Sequence, residues 1–554
     1  MAHALMRAAP ALVPAFPLLL VFTSATLHAQ GAVEGKVVTT TNGAPIHKAM
    51  VLLRPARIVA SNETRPRDSY LTQSDSNGRF SITGMVAGTY ECVPSRTGFG
   101  AQPPDAAPSP KYFPLVKIED GKTTQDVVVK LTPLGVIYGR VLDAEGDPVS
   151  HAVVEASVDG YAQGKRQREQ RGQNQTNDRG EYRIYNLFPG KYYLEAMVTR
   201  EPQFYGAELR GPRPLMSSST FYPSTVDEAQ AAPVEVLAGG ELGSLDIHLQ
   251  RIRVFAIRGK MPPPDPKYNY AFNALRRSPN QMRAYYGGFV TLQRDRQWEI
   301  AGLEPGSYVV TMTRFESNAG RVANPQQQQR QEALVEIVDH DVEGVEFSST
   351  IAAEVTGVLK STGAKPVNVE RMQVSLSPAN PGPNFLSAAV KADGSFSISN
   401  VPPDIYTVRV EPAANAYPVS IKFGSKELTT GEIDLRGGGG ALAIVVSSDF
   451  SEVEGKVTDA DGNPDPSANV TFVPDQKRAD WAIFFKSQLA DSQGHFLLRN
   501  IPPGTYTVFA WKDAPRNAPR DPDFRKPYEK QGVTMTLEAG SHQTVDLKSI
   551  VTQQ

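Results

Sequence analysis

The side chains best suited to metal or nucleophilic chemistry are thinly spread in this 554-residue chain. Beyond residue 29 the histidines are His47, His151, His248, His340, His495 and His542, each far from the next. Zinc hydrolase sites draw on closely spaced histidine and glutamate ligands, and no HExxH motif occurs. Asp339-His340-Asp341 reads as a polar turn before a strand. DADGN at 459 has some of the oxygens of a calcium loop but lacks their full alternation and the closing glutamate, so a hairpin turn is expected. Gly437 to Gly440 do not join a strand to a helix and form no phosphate cradle. Lys36 and Lys456 lie in first strands, where a buried lysine could form an isopeptide bond. However, Val33, Gly35 and Val37 share one face and Lys36 points to the other. Cys92 is the only cysteine, which rules out an intrachain disulfide, and its place two residues after Tyr90 predicts a buried, inert thiol. No catalytic residue, metal-ligand set or cofactor is assigned, and the chain reads as non-enzymatic.

Aromatic rings remain as candidate binding groups, because an exposed ring beside polar side chains can stack on a sugar. In YTVFAWKD, alternation puts Tyr506, Val508 and Ala510 inward and Phe509 and Trp511 outward, while RADWAIFF adds Trp481 and Phe485. A second group is Tyr268, Tyr270, Tyr285 and Tyr286. The competing reading is that these rings pack between neighbouring domains or cover an open sandwich edge.

The elements that would carry such residues repeat. FSITGMVAGTY at 80, YRIYNLFPGKY at 182, WEIAGLEPGSY at 298, FSISNVPPDIY at 396 and FLLRNIPPGTY at 496 share one plan, spaced roughly a hundred residues apart, the length of a small domain. Their first and third positions are apolar, which predicts a half-buried strand. The fifth is Gly84, Asn186, Gly302, Asn400 or Asn500, residue types that tolerate positive φ, so a kink is expected. Pro-Gly or a variant then predicts a turn that needs glycine at its third residue, with Asp404 the exception. Alternation resumes afterwards, placing both aromatics of each copy in the interior. Upstream of four copies lies strand, Gly-containing turn, Pro, strand, as in VEGKVTDADGNPDPSANVTF, and a second turn such as DSNGRF or DSQGHF precedes the aromatic. The third unit departs, with Arg296 where glycine is expected and a long segment, PPPDPKYNYAFNALRRSPNQMR, in place of the first hairpin. Every unit ends in a late strand such as ALAIVV. Seven or so short strands per unit argue for an all-β chain of five tandem β-sandwiches.

GxVxDxxGxP followed by DxxGxFxIxNxPPGxY resembles the carboxypeptidase regulatory-like domain, a transthyretin-like or prealbumin-like β-sandwich. The resemblance spans all five units and is weakest in the third. It implies a sandwich related to carbohydrate-binding-like modules, and similar domains precede outer-membrane TonB-dependent barrels. With the chain ending at Gln554, no barrel is expected here, and no metallocarboxypeptidase catalytic domain is recognisable. The expected organisation is a signal peptide at 1–29 and sandwiches at 30–132, 133–251, 252–351, 352–450 and 451–554.

Arg7, the apolar run ALVPAFPLLLVF and the small and polar residues to Ala29 form the signal-peptide pattern. No later segment is long and apolar enough to span a bilayer, so no membrane span is expected once the signal peptide is removed. A net charge of -2 gives no general pull toward nucleic acid or anionic membrane. The loop GKRQREQRGQNQ at 164 and QQQQRQ at 326 lack interleaved aromatics and read as solvated loops, not as nucleic-acid contacts. The expectation is an exported bacterial protein, periplasmic, surface-held or secreted, that binds carbohydrate or another cell-envelope ligand. The alternative is a spacer or protein-interaction scaffold with cell-envelope protein partners.

Overall fold

A computed structural model describes residues 30–56, 66–104, 106, 112–162, 164–198, 215–263, 265–276, 289–292, 296–316, 329–347, 353–364, 366–378, 386–401, 404–412, 416–466, 468–475, 481, 483–491 and 493–552. The signal-peptide pattern and both Tyr285 and Tyr286 lie outside them. Strands dominate, and the buried apolar residues fall into one main cluster for each repeat, from Val33–Leu131, Ile137–Leu249, Phe255–Ile337, Ala353–Val446 and Val453–Leu547.

The first unit shows the plan. Gly31–Thr39 lies between Arg79–Met85, antiparallel, and Thr123–Pro133, parallel; Met50–Pro55 lies between Tyr70–Gln73 and Gly88–Ser95 in the facing sheet. Its aromatic strand therefore sits in one sheet and its closing tyrosine in the other, and both Phe80 and Tyr90 reach the shared core. The fourth unit repeats this with five- and four-stranded sheets. In the fifth, Gly504–Lys512 pairs parallel with Leu547–Val551, joining all its strands into one eight-stranded sheet.

The eleven-residue motif does what its pattern predicts. Phe80, Tyr182, Trp298, Phe396 and Phe496 are buried, as are Ile184, Ile300, Ile398 and Leu498 at the third position. Ile82 is partly buried against the core. All five kink residues take positive φ: Gly84 76°, Asn186 61°, Gly302 81°, Asn400 58° and Asn500 58°. Arg296, standing where the other units have glycine, adopts φ 65° despite its side chain. Because β-branched residues pay most for this conformation, Asn500→Val is expected to cost about 1–3 kcal/mol. Asn500→Gly should change stability little. A thermal melt followed by tryptophan fluorescence checks this, since Trp481 and Trp511 both lie in the fifth unit.

The turn differs from expectation. Gly88, Gly190, Gly306 and Gly504 sit at φ 149°, 157°, 151° and 151°, far from the value near +80° of the turn type expected. This region is open essentially to glycine alone. The hydroxyl of the following tyrosine bonds back across the turn: Tyr90 to Val86 O at 2.8 Å, Tyr192 to Phe188 O at 2.8 Å, Tyr308 to Glu304 O at 2.8 Å and Tyr506 to Pro502 O at 2.7 Å. A phenylalanine would fill the same space without tying the turn, so Tyr506→Phe is expected to lower stability by about 1 kcal/mol in the same melt.

The third unit also rearranges its strands. Tyr268–Arg276, within the odd segment, pairs with Gly306–Glu316 as the second strands of other units do, but Phe289–Leu292 pairs with the aromatic strand Gln297–Leu303 in the opposite sheet.

Candidate functional site

The acidic turn residues that suggested chemistry have a structural task. Asp459 of DADGN accepts the backbone N–H of Asp461 at 3.0 Å and of Asn463 at 2.8 Å, and those hydrogen bonds hold its carboxyl below the usual range. The same turn recurs at Asp75, Asp143, Asn177 and Asp491. Among the described residues no three His, Cys, Asp or Glu side chains gather closely enough to hold a metal ion. Lys36 is exposed. Cys92 is fully buried and burial pushes its thiol up to about 12. It is therefore expected to resist thiol-specific reagents at pH 8 until the first unit unfolds, and then to react as an ordinary cysteine.

Burial also pushes the Tyr308 phenol up to about 12 and raises those of Tyr90 and Tyr182. An unfolded tyrosine ionises near pH 10. The folded state thus favours the neutral phenol, and this contribution is whole below pH 10 and is lost as pH rises toward 12. Alkaline melts should show stability falling through that window, with the buried phenols adding their tyrosinate absorbance only as the chain unfolds.

The outward rings of the fifth unit do alternate away from its main core, but they are not exposed. Phe509 and Trp511 are 2% and 0% accessible. They form a second cluster with Val473, Ala514 and Ile550, onto which Phe485, Phe524 and Tyr528 pack. Trp511 stacks on Phe509 at 5.0 Å and meets Phe524 at 5.5 Å and Tyr528 at 5.4 Å. The cover is a segment that sequence reading missed: Ala518–Arg520, Pro522–Arg525 and Lys526–Gln531 in three short helical turns. Its signals were present. Asp521 caps Asp523 and Phe524 N–H, Pro522 takes the first helical position, and Phe524 and Tyr528 are four residues apart.

The other candidate rings are also engaged. Trp481 is half-buried between the cores of the fourth and fifth units, its Nε1 donating to Thr429 O at 2.8 Å. Phe485 carries the Arg520 guanidinium 5.2 Å from its ring centre. Tyr268 and Tyr270 continue the inward face of Phe272 and Ala274: Tyr270 packs on the core, and the Arg314 guanidinium lies 3.9 Å over Tyr268. Thus the structure brings Phe485, Phe509 and Trp511 into one packed cluster, keeps Trp481, Tyr268 and Tyr270 apart from it, and engages all of them in packing.

The covering segment reaches other units. Tyr161 meets Phe524 edge-on at 5.8 Å, Asn517 Nδ2 donates to Tyr161 O at 3.2 Å, and Ala106 bridges Pro515. The fifth unit is thereby held against the first and second.

Residues 452–548, which contain all but the ends of this last sandwich, decide the family comparison. They match the carboxypeptidase regulatory-like domain. This regulatory-like segment has the hairpins, kink and closing tyrosine seen in the other repeats. No curated protein matches the chain. Among solved structures, GBS52, the minor pilin of Streptococcus agalactiae, is similar at 11% identity over 42% of this chain and 98% of its own, with a TM-score of 0.22. The Bacillus anthracis TIE protein is similar at 10% identity over 96% and 76%, TM-score 0.16, and BcpA, the major pilin subunit of Bacillus cereus, at 10% over 94% and 99%, TM-score 0.15. At such scores these likenesses carry no argument about function.

Proposed function

We propose that the chain is an exported, non-catalytic scaffold for protein interaction in the cell envelope, built of sandwiches at 30–132, 133–251, 252–351, 352–450 and 451–554 behind a signal peptide at 1–29. The observation that carries this reading is the contact of the fifth unit with the first and second. A plain spacer gains nothing from folding back, whereas a scaffold gains a composite surface. In support, the motif's tyrosines, acids and glycines are spent on turns and packing. Small-angle scattering from the full chain tests it. The folded-back arrangement should give a radius of gyration well below that of a straight string of five domains, and Phe524→Ser should raise it by about a fifth or more. A wild-type profile that fits an extended string would sink the reading. Expression with its own leader in a bacterium, followed by fractionation, tests export: the expected product lacks residues 1–29 and lies outside the cytoplasm.

Carbohydrate binding is the second reading, favoured by the half-exposure of Trp481, Phe485, Tyr268 and Tyr270. A glycan array decides it. Binding weakened by Trp481→Ala would support it, and silence across a broad panel would remove it.

A further inference from the structure

The third unit leaves open an edge that the others cover. In the first, second, fourth and fifth units the second strand, Met50–Pro55, Val153–Ala162, Gln373–Pro378 or Asn469–Pro474, has an antiparallel strand on its outer side: Tyr70–Gln73, Lys165–Gln175, Leu386–Ala389 or Lys486–Leu489. The third unit's counterpart of that outer strand, Phe289–Leu292, pairs with Gln297–Leu303 in the opposite sheet. Among the described residues Tyr268–Arg276 is therefore an end strand, paired with Gly306–Glu316 alone. Alternate residues of such a strand turn N–H and C=O away from the sheet. Two other end strands are as long or longer, and both carry charges that discourage pairing: Gln329–Ile337 has Arg330, Glu332 and Glu336, and Lys165–Gln175 has Lys165, Arg166, Arg168, Glu169 and Arg171. YNYAFNALR has one charge, Arg276 at its end, and Glu304 takes it up at 2.6 Å.

The place beside this edge is one strand wide. Tyr268–Arg276 lies against Gln297–Leu303, which Phe289–Leu292 extends on the side away from Phe255–Lys260. A single added strand would lie over Phe289–Leu292, whereas a second copy pairing through this edge would bring its own Gln297–Leu303 into that space. Tyr268 and Tyr270 are half-buried on the inward face, where apolar side chains of an added strand would complete their cover. Charge distinguishes the two ends. At the Tyr268 end the Arg314 guanidinium lies 3.9 Å over the ring and Lys267 is exposed, and neither makes an ion pair among the described residues. Asp265, the acid nearest them in sequence, accepts the Lys267 N–H at 3.0 Å. We infer that Tyr268–Arg276 is a docking edge for an extended segment of a partner protein, added antiparallel, with alternate apolar residues turned into the core and an acidic residue near its C-terminal end beside Tyr268. The inference rests on the scaffold reading and names its partner's chemistry.

Hydrogen exchange of the full-length chain, read by mass spectrometry, tests this with two amidated nine-residue peptides in which valine alternates with threonine, the last valine being replaced by glutamate in one and by lysine in the other. The expected result is a saturable slowing of exchange confined to residues 268–276, half-reached at about five- to tenfold lower concentration of the glutamate peptide. Lys267→Gln combined with Arg314→Gln should erase that preference, and Arg314→Lys should keep it, each variant being checked by its melt. No slowing at 268–276 with either peptide overturns the inference, as does slowing that falls on 329–337 or 165–175. An equal response to both peptides overturns the acidic end. Slowing that grows with protein concentration, without peptide, reassigns the edge to a second copy. The scattering measurement is separate, so a closed chain that ignores both peptides would overturn the docking edge without touching the scaffold.

Discussion

Gly455→Val is expected to unfold the last sandwich while the rest of the chain stays folded. Gly455 lies opposite Phe496 in the antiparallel pair, and on its other side the closing strand runs parallel. A Cβ there would stand under 3.0 Å from the Val545 carbonyl oxygen. That atom belongs to backbone tied to the first strand, since Val545 N–H donates to Glu454 O at 2.9 Å, so it cannot give way as a side-chain tip can. The same collision, with Val127, Leu245, Val345 and Leu442, awaits a Cβ at Gly35, Gly139, Gly259 and Gly357. At Gly35, Gly259 and Gly357 the ring of Phe80, Trp298 or Phe396 also stands closer than 3.0 Å. Each ring lies across its glycine and leaves no room for a side chain. The expected loss exceeds about 4 kcal/mol, in the range reserved for overpacking of a core. Gly437→Ala is the control: nothing lies within 4 Å of its Cβ, and its change should stay within about 0.5 kcal/mol. Calorimetry of the full chain checks both, the first variant losing one transition and the control none.

Trp511→Ala is expected to cost about 3–5 kcal/mol and to free the covering segment. The side chain is fully buried, and Phe509, Phe524 and Tyr528 all rest on it. Without the indole, Phe524 and Tyr528 lose most of what they pack against, and the contact of Phe524 with Tyr161 goes with them. Arg516, Arg520, Arg525 and Lys530 then become open to trypsin. Limited proteolysis should cut the variant between residues 513 and 532 at trypsin levels that leave the native chain whole. Trp481→Ala, which removes one half-buried ring and its bond to Thr429 O, should cost about 1–3 kcal/mol and leave that segment protected. Equal protection in all three proteins would show that the second cluster does not hold the segment down.

Local rules made much of this molecule legible from its residues. Period-two alternation located the strand pairs around each aromatic, and Gly or Asn at the fifth position announced a positive φ that all five copies adopt. Asp and Asn at the turns read correctly as hairpin residues. The site was less legible. Alternation told which face Phe509 and Trp511 would take, but a residue pointing away from one core is exposed only if nothing covers it. Tyr268 and Tyr270 could have been placed correctly by extending the alternation of Phe272 and Ala274 backwards.

The amino-acid order alone determined the repeating sandwich strands, their kinks and the burial of the paired rings, because each follows from contacts a few residues apart or from the conformational limits of single residues. Only the tertiary structure decided that the closing strands run parallel to the first, that a late helical segment seals the outer rings, and that the fifth unit returns to the first two. The first and last of these depend on pairings most of a unit or more apart in sequence, where local pattern is silent, and all three rest on which surfaces fit once the sandwiches exist.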